Sequence, residues 1–410
     1  MKNFISYILF GIKNKRINIF SIIIDLILLI YGIVETFLSV WEHPSILILL
    51  FTVFANIIWQ ILSFKDLFEY YKSDFHDEYS DIEVDYSEYI GSDQTICVIG
   101  KNSISYSIND CMKLQQEDPE IQVSLQAREK VDKYIFQYFD SLLPFLAKHY
   151  QEASSNGKMF TNDSKLCLPG RIQYGTPTDI AKGSYYNTYL TNKIFSNQIV
   201  TNDSLNLFPP LSSSCRAIKF PCEYFSNEIG VSTIAITSDG YLFFQVQGIH
   251  ADASAGLIVP SGSGSVDWED YQKNKFTHLK EVIDYATIRE LREETGFKSR
   301  KFDNGIVANK ILGFFRWLNY GGKPEFVSVS RLNCKKIEIH PQSSEQRANL
   351  VEEYTFLIYN HQSNNLNESE LFRAFEMMKS ARCSVPLYVC LLLLKEYYEK
   401  DKQAFVDFIS

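Results

Sequence analysis

Two apolar runs stand at the front of the chain. Residues 17–41 hold only Asp25 and Glu35 as ionisable groups, and residues 46–64 hold none. As helices they would be about 37 Å and about 28 Å long, against a hydrocarbon core of about 30 Å. The pattern therefore predicts two membrane spans, with residues 1–64 as an α-hairpin closed by Glu42-His43-Pro44-Ser45. Lys2, Lys13, Lys15 and Arg16 precede the first run, and the turn carries no Lys or Arg. The positive-inside rule then puts both termini in the cytoplasm of a bacterial cell, with the hairpin in the inner membrane. Asp25 and Asn56 fall at similar depth, about 12 Å in. They predict a polar seam, either a clasp within one hairpin or a contact between protomers.

Beyond the hairpin the pattern changes twice. Residues 65–122 read as an acidic linker: ten acids between Asp66 and Asp93 face the single base Lys72, with tyrosines interleaved. Residues 123–224 form a middle region, helical over 123–139 by three-and-four spacing and then rich in Gly, Asn, Ser and Thr. From 230 the period becomes two. Val231–Thr237 and Tyr241–Gln247 flank Ser-Asp-Gly, which predicts a hairpin. Further strands are expected at 256–259, 311–316, 325–331 and 353–359, with helices over 368–379 and 386–400. Strands and helices mixed in this way predict an α/β/α sandwich over 225–410.

Composition refines the picture only modestly. The net charge is -9, which argues against a surface for duplex nucleic acid. Residues 1–64 hold four bases and three acids, so the acidic excess belongs to the rest of the chain. The eight cysteines are scattered without a CxxC pair, which predicts free thiols rather than a zinc site.

The candidate chemistry lies in Glu281-x7-Arg289-Glu290-Leu291-Arg292-Glu293-Glu294-Thr295-Gly296-Phe297. A helix puts Glu290, Glu293 and Glu294 on one face, where three carboxylates repel. A hard divalent cation, Mg²⁺ or Mn²⁺, would relieve that repulsion. Arg289, four residues before Glu293, can orient it, and Gly296 can end the helix with a left-handed cap. The spacing resembles the Nudix box, GX5EX7REUXEEXGU. Lys275 stands where the box has its leading Gly, and the Gly-rich turn lies upstream at Pro260-Ser-Gly-Ser-Gly-Ser-Val-Asp-Trp-Glu-Asp, about eleven residues removed.

Two spans, a middle region and this box, in that order, are similar to the 2TM-NUDIX effectors of bacterial CBASS anti-phage systems. These are CD-NTase-associated proteins with a SMODS-associated Nudix domain. The resemblance implies a membrane α-hairpin followed by a helical linker region and an α/β/α Nudix sandwich. It also implies an effector activated by a cyclic oligonucleotide from a neighbouring CD-NTase, acting as a homo-oligomer on the lipid bilayer. Membrane disruption and abortive infection would follow. Ligand contacts are expected from Gly262 and Gly264 amides, from Arg316 and Lys323, and from Trp268 or Trp317 stacking on bases. The alternative is a membrane-anchored hydrolase of a nucleoside diphosphate derivative. There Glu290, Glu293 and Glu294 hold Mg²⁺ or Mn²⁺, Glu293, Glu294 and Arg289 are catalytic, and Glu352 or Glu353 adds a ligand or base.

Overall fold

The computed structural model describes residues 90–137, 162–200, 220–247, 256–295, 306–339 and 353–410, with 53–56, 76–79 and the single residues 58, 87 and 149. The chain divides into two compact units. The smaller comprises residues 1–78, 138–160 and 199–207, and within it 53–56 are helical. The larger unit comprises residues 79–137, 161–198 and 208–410.

Its frame is one mixed sheet of nine strands. The strands are β1 (Thr95–Ile99), β2 (Asn102–Tyr106), β6 (Gly230–Ile236), β7 (Tyr241–Val246) and β8 (Ile258–Val259). They continue with β9 (Gly262–Ser265), β10 (Ile306–Trp317), β11 (Lys323–Leu332) and β12 (Glu353–Leu357). The order across the sheet is β8-β7-β6-β11-β10-β2-β1, with β9 also paired to β6 and β12 to β7. At its centre β6 and β11 run parallel, while β10 returns antiparallel along β11. A second sheet joins β3 (Ile121–Val123), β5 (Thr178–Ser184) and β4 (Ser164–Cys167), in that order.

Alternation builds the hairpin of β6 and β7. Its turn closes on Gly240, at φ 85°, where a Cβ would lie 1.9 Å from the Tyr359 carbonyl oxygen. Only glycine fits that turn. Both faces of the sheet are covered. On one side α6 (Glu368–Glu376), α7 (Val385–Lys400) and α8 (Lys402–Ile409) bury Leu371, Leu387, Leu391, Leu394 and Phe405 against Ile234, Phe244, Phe315 and Val327. On the other, α5 (Leu279–Thr295) lays Leu279, Val282, Ile283 and Ala286 over Val231, Ile311 and Phe326. Shorter helices complete the unit: α1 (Ile108–Gln116), α2 (Leu125–Gln137), α3 (Tyr185–Thr191) and α4 (Trp268–Asn274).

This architecture corrects the expectation of a membrane hairpin followed by a helical linker and a sandwich. Among the described residues no helix is long and apolar enough to cross a membrane. The longest, α5 at 17 residues and α7 at 16, show why. α5 is laced with charge, and α7 spans only about 24 Å and ends in charged residues. The fold is mixed α/β around a large sheet. The transmembrane character and the inner-membrane location go with that correction. The two runs at 17–41 and 46–64 lie outside the described residues, apart from 53–56 and 58. Residues 95–116 also differ from expectation: the stretch taken as linker supplies β1, β2 and α1 to the main fold.

Candidate functional site

The box residues stand on α5, and β9 runs beneath that helix. The two glycines of β9 explain the closeness. A Cβ on Gly262 would meet the Leu291 backbone at 2.8 Å, and one on Gly264 would fall 2.1 Å from the Glu290 carboxyl carbon. Glycine at i and i+2 of one strand leaves a groove on one face, and the helix lies in it. Gly262 and Gly264 therefore sit in a strand paired to β6, not in an open turn, and their role here is close approach.

The residues inserted between the glycines and the box are ordered as α4. Asp267 is the N-cap of this helix, and its backbone N–H donates to Asp270 Oδ2 at 3.2 Å. Its C-cap is Lys275, in the left-handed region at φ 52° and ψ 41°. The position at which the Nudix pattern has glycine is thus one where the backbone favours glycine.

Arg289 ties α5 to α4 and β9. Its Nη2 donates to the Ser265 carbonyl at 2.9 Å and to Asp270 Oδ2 at 3.0 Å, and its Nε donates to the same oxygen at 3.2 Å. Nη1 donates to Glu290 Oε1 at 2.9 Å and to Glu293 Oε2 at 3.4 Å. Asp267 lies 3.5 Å from the guanidinium and accepts from Lys165 Nζ at 2.6 Å. Burial works against the charge on Arg289, but Glu290, Asp270 and Asp267 outweigh it and hold the group well above its usual range. Burial pushes the Glu290 carboxyl up to about 7, with Glu293 and Asp267 adding to the rise and Arg289 opposing it.

The oxygen donors on this face are of the kind that Mg²⁺ or Mn²⁺ takes. They are not gathered for it: among the described residues no group of three acidic, histidine or cysteine side chains is arranged to hold a metal. Glu290 and Glu293 share Arg289 as counter-charge, and Glu294 is half-buried on the following position of α5. Gly296, Phe297 and Glu352 lie outside the described residues. Glu353, on β12, pairs with Lys336 at 2.5 Å.

The expected ligand contacts do not converge. Trp268 begins α4 and packs beside Tyr271, with ring centroids 5.1 Å apart, on the core under α5. Arg316 and Trp317 are neighbours in β10, and side chains at successive strand positions point to opposite faces. Trp317 joins the core on the α7 side and donates its indole N–H to the buried Glu325 at 2.7 Å. Arg316 turns to the other face, where Nη1 donates to Gly322 O and Nη2 to Gly170 O, each at 2.9 Å. One ligand cannot stack on Trp317 and pair with Arg316 through these orientations. Lys323, at the start of β11, lies 4.0 Å from the buried Glu228. Asp25 falls outside the described residues, and Asn56 lies in the smaller unit's 53–56 helix, so the proposed seam is not described.

Sequence reasoning missed Asp267 and Asp270 as partners of Arg289. Their signal was present, as the Asp-x-x-Asp of a capping box directly after the glycines. Arg171, Lys113 and Tyr174, which gather around Arg316, carried no local signal at all.

No protein-family model and no curated protein matches the chain. Among solved structures, the DR0079 protein of Deinococcus radiodurans is similar at 14% identity, over 42% of this chain and 83% of that one, with a TM-score of 0.27. A likeness of that size carries no argument about fold or activity.

Proposed function

We propose that the larger unit is a Nudix-type nucleotide-sensing domain, and that the protein is an effector of the CBASS kind. It takes up a cyclic oligonucleotide made by a neighbouring CD-NTase and responds by self-association. The observation that supports this reading is the Arg289 network. One guanidinium joins the box glutamates of α5 to the Ser265 carbonyl at the end of β9 and to the Asp270 carboxylate of α4. A phosphate competing for Arg289 releases α4 from α5, as does a cation competing for the glutamates. Occupancy is thereby coupled to the position of an element. A sensor needs that coupling, because a ligand shifts only an equilibrium whose two states it distinguishes.

A second reading, a Mg²⁺- or Mn²⁺-dependent hydrolase of a nucleoside diphosphate derivative, is favoured by Glu290. Its carboxylate stands with that of Glu293 about Arg289 on one face of α5, at 2.9 and 3.4 Å from the guanidinium, where hard oxygen donors would hold the cation.

One experiment separates the two. The full chain and its Glu293→Gln variant are titrated with cyclic di- and trinucleotides and, separately, with nucleoside diphosphate derivatives, with and without Mn²⁺, while light scattering follows the mass and chromatography follows the products. Saturable binding with a rise in mass and no cleavage is the expected outcome. Turnover of nucleoside diphosphate derivatives that Glu293→Gln abolishes, without a rise in mass, selects the hydrolase. Neither binding nor turnover overturns both.

A further inference from the structure

The larger unit contains a cavity of about 200 Å³ away from the glutamate face, walled by α1, β10 and the stretches around residues 91 and 171. Arg316 forms part of its wall and is only 7% exposed. The two carbonyls that hold it, Gly322 O and Gly170 O, occupy two of its five N–H groups and bring no negative charge. Arg171, beside it, is a like charge. Burial and that neighbour together pull the Arg316 pKa down, with Asp110 opposing them, yet a guanidinium remains charged at neutral pH. Among the described residues neither arginine has a carboxylate in ion-pair contact.

Two acids also line the cavity and share one neutral amide, which leaves their charge in place. Asp110 Oδ2 accepts from Gln94 Nε2 at 3.2 Å, and Asp93 accepts from the same amide. Lys113 adds a third positive group, seated 4.2 Å over the ring of Tyr174. Among the described residues the buried Tyr174 hydroxyl has no hydrogen-bond partner, which in a native protein calls for an explanation. Phe220, Pro221 and Phe314 supply flat apolar walls, with the Phe314 ring 6.0 Å beneath the Arg316 guanidinium.

Two guanidiniums with no carboxylate in ion-pair contact, an orphan hydroxyl and aromatic walls together define a ligand. We infer that this cavity binds a small organic phosphate bearing a flat apolar ring. Its phosphate lies between Arg171 and Arg316 and accepts from the Tyr174 hydroxyl, and its ring lies against Phe220 and Phe314. Each part answers one unmet demand: the anion offsets the paired positive charge, an acceptor satisfies the hydroxyl, and the ring fills apolar space. The site is separate from the α5 face and does not depend on the reading proposed there.

The test is calorimetric titration of the full chain with phenyl phosphate, inorganic phosphate and phenol. Phenyl phosphate is expected to bind saturably and more tightly than inorganic phosphate, and phenol not to bind. Arg171 is exposed, so Arg171→Gln leaves the fold intact, and it should weaken phenyl phosphate about tenfold by removing a charge-assisted contact. Tyr174→Phe should weaken it as well, by a smaller factor. No saturable binding of phenyl phosphate, or equal binding by wild type and both variants, overturns the assignment. Binding that Glu293→Gln abolishes while Arg171→Gln preserves it places the ligand on α5 and overturns it equally.

Discussion

Asp284 shows how one buried carboxyl makes stability depend on pH. It lies on α5 facing the sheet and accepts from Asn309 Nδ2 at 2.7 Å. Asn309 Oδ1 in turn accepts from Ser330 Oγ at 2.8 Å, and Ser330 is hydrogen-bonded to Thr233 at 2.9 Å. Burial raises the Asp284 pKa from 3.8 to about 6, with Asp118 adding to the rise and Asn309 opposing it. The folded state therefore holds this proton more tightly than the unfolded chain. Between about pH 4 and pH 6 the unfolded state has released the proton and the native state has not, so stability falls as pH rises through that window. Above it the full penalty persists, at most about 3 kcal/mol. Asp284→Asn keeps an acceptor for Asn309 and removes the charge. The variant should be more stable than wild type by about 1–3 kcal/mol at pH 8, and the gain should vanish below pH 4. Urea unfolding at both pH values checks this; a gain independent of pH would mean that packing, not ionisation, sets the difference.

At the scale of elements, the box helix and its approach were legible in different degrees. The three-and-four spacing from Leu279 to Leu291 marks α5, and the alternation in Val231–Thr237 marks β6, because each pattern is local. What the inserted residues do is a matter of tertiary partners. α4 exists because Asp267 and Asp270 cap it while Arg289, nineteen positions beyond Asp270, supplies their counter-charge. Its end is decided by one residue. Lys275 donates its N–H to Tyr271 O at 2.9 Å from a left-handed conformation, which costs a non-glycine residue about 1 kcal/mol. Lys275→Gly should thus raise stability by about 0.5–1 kcal/mol, after the greater entropy of glycine in the unfolded chain. Lys273→Gly, two positions earlier inside α4, should lower it by a similar amount. Opposite signs in the two thermal midpoints confirm the cap; equal signs would show that the helix does not end there.

For the whole molecule the sheet decides what the sequence hides. A period-two strand predicts one solvated face, yet every residue of β6 is buried. Its polar positions are accommodated by hydrogen bonds: Ser232 Oγ donates to Glu325 at 2.7 Å, and Thr233 pairs with Ser330. Such partners come from β11, about ninety residues away, and no local pattern announces them. The same holds for the far edge, where β1 and β2 join through Arg316 and Trp317 of β10 out of a stretch that composition marks as linker. Burial from both sides gives the sheet a gradient of protection. β6 lies between β7 and β11 with α5 and α7 on its faces, so its amides open only when the unit unfolds. Among the described residues β1 pairs with β2 alone, and its Val98 is 68% exposed. Amide exchange should be slowest over 230–236 and 325–331 and fastest in the sheet over 95–99, because edge strands open without breaking the core. Exchange over 95–99 as slow as that of β6 would show that this edge is covered, and the nine-stranded order would then be incomplete at β1.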